Sequence, residues 1–123
     1  MLACFMTAAP AIAATTICNV KGDAVAPKAI LWNTETGQAK VQLSYGDPIE
    51  GRIAMTRPHD PYGSKVNLVF SLTDRLLSDE LEFIVFPTSK AEYRIVGVGY
   101  RVISGTRVLN NSLGNYEVQC TTL

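Results

Sequence analysis

Histidine occurs once in the 123 residues, as His59, and cysteine three times, as Cys4, Cys18 and Cys120. A Ser-His-Asp hydrolase needs its imidazole oriented by a separate acid, and His59 has only Asp60 beside it in sequence. There is no G-x-S-x-G elbow, no H-x-x-x-H, no EF-hand loop and no close pair of cysteines. Gly97-Val98-Gly99 sits inside a strand pattern with no third glycine where a dinucleotide fingerprint requires one. The expectation is therefore no enzyme, no cofactor and no metal site.

An excess of either charge is also missing. Eleven basic residues balance eleven acidic ones, so the basic surplus that neutralises phosphates in a nucleic-acid binder is absent. No Lys/Arg cluster suits an anionic membrane surface. No window supplies the roughly 20 consecutive apolar residues of a membrane-spanning helix, so no integral membrane segment is expected.

What is present begins with residues 1–14, which carry no charge and are rich in small and apolar types. Ala11-Ile12-Ala13 fits the small-x-small pattern read by signal peptidase, with Pro10 just ahead of it. This reads as a signal peptide over 1–13 and a single β domain over 14–123, exported to the periplasm or the extracellular space. Cys4 leaves with the leader. The two remaining cysteines, in an oxidising compartment, are expected to form a Cys18–Cys120 disulfide.

The mature part reads as strands and turns. Val41, Leu43 and Tyr45 alternate with Lys40, Gln42 and Ser44; Ile49, Gly51, Ile53 and Met55 alternate with Glu50, Arg52, Ala54 and Thr56. Val66, Leu68, Phe70 and Leu72 form the apolar face of a third stretch, and Leu81, Phe83 and Val85 that of a fourth whose other face carries Ile84 and Phe86. In Tyr93 to Ile103, the longest candidate, Gly97 and Gly99 interrupt one face, the pattern of a strand that bends or bulges. Asn33 to Gly37 and Tyr45 to Pro48 read as turns, as does Asn110-Asn111-Ser112 before Gly114. Thr73 to Glu80 reads as one helical turn or a loop. Cys18 shares a face with Val20, and Cys120 with Val118, so the bridge is expected to join neighbouring first and last strands. The fold class that follows is all-β: about eight antiparallel strands in an up-and-down barrel or a two-sheet sandwich.

Candidate chemistry reduces to surface recognition. Glu50, Asp79, Glu82 and Glu117 fall at positions assigned to solvent faces or loops, so paired-carboxylate catalysis is not expected. The segment Arg57 to Ser64 combines a guanidinium, an imidazole, a carboxylate and a phenol on a proline-stiffened backbone. Arg57, His59, Asp60 and Tyr62 are its candidate partner-binding residues.

In size, leader and strand content the chain resembles the bacterial periplasmic inhibitors of c-type lysozyme. Ser104-Gly105-Thr106-Arg107 does not reproduce that family's inhibitory loop, and no site residue is carried over. The expected function is a binding or interaction module of the bacterial cell envelope, meeting an unknown protein or envelope polymer. The alternatives are an inhibitor of a periplasmic enzyme such as lysozyme, and a carrier of a small apolar ligand in space opened by Gly97 and Gly99.

Overall fold

In a computed structural model, which describes residues 14–22, 27–72 and 78–123, the chain forms eight antiparallel strands. They are β1 (Thr15–Val20), β2 (Ala29–Asn33), β3 (Gln38–Gln42), β4 (Ile49–Pro58), β5 (Ser64–Ser71), β6 (Glu80–Pro87), β7 (Tyr93–Ile103) and β8 (Thr106–Thr122). Each strand pairs with its neighbours in sequence, and β8 returns to β1. Of the two architectures expected, the closed up-and-down barrel is the one adopted. Residues 1–13, read as a leader, lie outside the described residues, as do positions 73–77 of the expected helical turn. No helix among the described residues is long and apolar enough to cross a membrane.

Period-2 alternation places Ile30, Val41, Leu68, Phe70, Phe83, Val85, Ile95 and Val118 in the barrel interior, each almost wholly excluded from solvent. Full burial of such a side chain stabilises the fold by roughly 1.5–3 kcal/mol each. Phe70 and Phe83 meet edge to face with centroids 6.0 Å apart. Closure is fixed where β1 meets β8, with Cys18 directly opposite Cys120, Cα atoms 4.0 Å apart and the two sulfurs bonded. Cys18 is buried and Cys120 packs against the core from its margin. The bridge between terminal strands, expected from shared faces, is present.

Several local readings change. Ala54 is an extra residue in β4, because Ile53 faces Leu68 while Met55 faces Asn67. The bulge reverses the alternation, so Met55 turns outward instead of continuing the core face. Tyr45 lies beyond the end of β3 and is largely exposed. Asn110-Asn111-Ser112 is strand and not turn: β8 runs through it with two register shifts, opposite Gly97 and Gly99. The bending expected from those glycines is thus realised as bulges in the partner strand.

The glycines themselves face inward, and their space is taken. A Cβ at Gly97 would stand 2.5 Å from the Phe83 ring, and one at Gly99 would overlap Ser78 Oγ and Asn111 Oδ1. Ser78 is buried and donates to Asn111 Oδ1 at 2.8 Å.

Candidate functional site

Register alone sets which strands overhang the barrel. The β4–β5 and β6–β7 turns share one end with the start of β1 and the end of β8, and the β3–β4 loop and β7–β8 turn share the other. A hairpin projects at each end.

At the first end, β4 and β5 stay paired out to Pro58 opposite Ser64. The expected loop is therefore shorter than it read, spanning only 59–63. His59 N donates to Gly63 O at 2.7 Å and Tyr62 N to His59 O at 3.0 Å, around a cis Asp60–Pro61 peptide. The His59 ring sits edge-on to Phe86 of β6, centroids 5.5 Å apart, which ties the tip back to the barrel wall. Arg57, Asp60 and Tyr62 remain exposed. Of the four candidate residues, His59 is a packing anchor and the other three face solvent.

On the outer wall a groove of about 550 Å³ runs over β4, β5 and β6. Its polar lining includes Glu50, Arg52, Asn67, Glu80, Glu82 and Arg107. The sequence placed Glu50 and Glu82 on solvent faces, and the fold brings both to this one surface. The chemistry of Glu80 and Glu82 is already committed. Glu82 accepts from Asn67 Nδ2 at 2.7 Å and from Arg107 Nη2 at 3.2 Å, and Glu80 pairs with Arg107 Nε at 2.9 Å. The Arg107 guanidinium also lies 3.8 Å above the centre of the Tyr100 ring, a cation–π contact.

Arg107 belongs to the second projection, which sequence reasoning missed. β6 begins at Glu80 opposite Tyr100, so Arg101, Val102 and Ile103 of β7 extend past it. On the other side, the β1–β8 ladder ends at Val20 opposite Val118, followed by one bond from Lys21 N to Glu117 O. Residues 101–103 and 106–110 therefore form a two-stranded arm closed by the Ser104-Gly105 turn. Both turn residues have positive φ, 51° and 80°, the conformation that matches strand twist in a two-residue hairpin.

Asp79 clamps the arm's base. Its backbone N–H donates to Tyr100 O at 2.8 Å, its Oδ2 accepts from Val102 N at 2.8 Å, and its Oδ1 lies 3.6 Å from Arg101 Nη1. Arg107, folded onto Glu80 and Glu82, holds the outer face down. Towards its tip the arm exposes apolar side chains, while at its base Asn110 Nδ2 also donates to Ser78 Oγ at 3.3 Å. Val102 is 37% exposed, Ile103 59%, Val108 45% and Leu109 66%.

Among the described residues no group of three or more His, Cys, Asp or Glu side chains is placed to hold a metal ion. Compared with known proteins, the chain matches no family model, no curated protein and no solved structure.

Proposed function

We propose that the protein is an exported, non-catalytic binding module that meets a protein partner through the β7–β8 arm. One observation carries this reading: of the eight large hydrophobic side chains exposed among the described residues, four are concentrated on the arm. Clustered apolar exposure on a monomer marks an interaction surface far more often than scattered exposure does. A hairpin clamped at its base also loses little conformational freedom on binding.

Export is supported by the Cys18–Cys120 bridge and by the leader-like opening of the sequence. The non-catalytic reading is supported by the groove's carboxylates, since Glu80 and Glu82 are held by Arg107 and Asn67. An inhibitor that pushes the arm into an enzyme's cleft is one version of this function. The apolar-ligand carrier is disfavoured, because the space beside Gly97 and Gly99 holds Phe83, Ser78 and Asn111.

The β4–β5 tip is a second reading, favoured by the exposure of Arg57 at the end of β4 and of Tyr62 on the hydrogen-bonded turn that follows. One comparison separates the two. Val102, Ile103, Val108 and Leu109 are replaced together by threonine, and Arg57 and Tyr62 together by alanine, and each variant is used to capture partners from the exported fraction. The expected result is loss of capture only with the arm variant. Retention by the arm variant and loss by the tip variant would move the function to the other end of the barrel.

A further inference from the structure

Among the described residues one backbone edge of the arm has no strand beside it, and the hydrogen bonds at its base show which groups lie on that edge. Val102 N–H points to Asp79 Oδ2 and Tyr100 C=O to Asp79 N–H, so both residues direct their backbone groups away from β8. In an antiparallel ladder the residues facing them, Arg107 and Leu109, must then direct theirs away from β7. Among the described residues no backbone group pairs with this side of Thr106–Leu109, and residues 106–110 are all exposed. The bulge at Asn110 ends the regular stretch.

An edge with bonding groups at positions 107 and 109 is self-complementary about position 108. We infer that the occupant is a second copy of this chain, joined by antiparallel β8–β8 pairing on a two-fold axis through Val108. In that register Arg107 faces Leu109 of the second copy and Leu109 faces its Arg107, and each pair exchanges two backbone hydrogen bonds. The two Val108 side chains face each other as the non-hydrogen-bonded pair, where side chains approach most closely. The result is a four-stranded sheet joining two barrels, with an isologous interface of the kind most homodimers use.

Charge favours this occupant. Arg107 is the only ionised side chain on the stretch, and Glu80 and Glu82 of its own barrel neutralise it. It stands opposite a leucine, so the two guanidiniums are not opposed. The chain carries no net charge to keep copies apart. An unprotected apolar edge invites strand addition unless a charge, a proline or a covering element blocks it. The one charge here is folded aside.

This inference rests on reading the arm as the recognition element, and names the partner. It is tested on the exported protein with its Cys18–Cys120 bridge intact. Val108→Cys places two thiols across the proposed axis, in the same kind of directly opposed pair that Cys18 and Cys120 already form. The expected product under mild oxidation is a covalent dimer. Thr106→Cys, whose counterpart is Asn110 of the second copy, should cross-link only to background. Leu109→Pro removes the edge N–H, which β7 does not use. Added to the Val108→Cys chain, it should abolish cross-linking with the barrel's circular dichroism unchanged. Sedimentation of the wild type should give twice the chain mass, falling to one chain in Leu109→Pro.

A wild type that sediments as a single chain at micromolar concentration, with Val108→Cys cross-linking no more than Thr106→Cys, would overturn the second copy as occupant. Capture of a foreign protein by the arm would in that case survive, so failure of this inference is distinguishable from failure of the arm reading.

Discussion

The ring of Phe83 fills the space that a side chain at position 97 would need. An added Cβ on Gly97 would stand 2.5 and 2.7 Å from two ring carbons and 3.0 Å from Leu113 Cβ. Phe83 is itself fully buried and has nowhere to retreat. Backbone of β7 and ring of β6 are thus fitted to each other across the Phe83–Gly97 pair.

Gly97→Ala should accordingly lower stability by about 1–3 kcal/mol through overpacking. Chemical denaturation measures the loss. Phe83→Leu in the same chain should cost less in the alanine background than in the wild type, because the smaller side chain relieves the overlap. Additive losses would show that the two positions do not compete for space.

Cys18 and Cys120 are separated by 102 positions, so their bond closes nearly the whole described chain. Replacing both with alanine should cost about 4–5 kcal/mol by the loop-entropy model. Equilibrium unfolding with and without reductant checks this. The wild type should lose stability on reduction and the double variant should be indifferent.

Arg107 is partly exposed, so Arg107→Ala should change global stability by no more than about 1 kcal/mol. Its effect belongs to the arm. Without the contacts to Glu80, Glu82 and Tyr100, the hairpin is held chiefly by Asp79. Amide exchange over residues 100–109 should quicken while that of β5 and β6 stays unchanged.

The barrel was readable where alternation is unbroken. Val66, Leu68 and Phe70, and likewise Leu81, Phe83 and Val85, face inward as their spacing requires. The disulfide is readable because Cys120 shares a face with the buried Val118 and Cys18 with Val20, which packs against the core. Met55 was misread because a single extra residue, Ala54, inverts the period, and nothing local marks a bulge that the partner strand defines. The inward glycines were visible, but their occupants were not, since Ser78 and Asn111 reach Gly99 only through the strand register.

The arm escaped for a related reason. Val102, Ile103, Val108 and Leu109 have the composition of a core strand. Their exposure follows from β6 starting at Glu80 and from β1 reaching no further along β8 than Glu117. Strand lengths relative to neighbours are a tertiary property. The carboxylates of the outer groove show the same limit, for Glu50 and Glu82 share a surface only once β4, β5 and β6 are aligned.

The most direct test of the arm as the recognition element is site-specific photo-cross-linking in cells that produce the protein. A photoreactive residue is placed at Leu109, at Tyr62 on the β4–β5 tip, or at Tyr45, which is exposed but belongs to neither projection. The expected result is a discrete covalent adduct from position 109 and none from 45 or 62. An adduct of twice the chain mass identifies a second copy, and any other mass identifies a foreign partner. No adduct from position 109, or equal yields from all three positions, would contradict the arm's role.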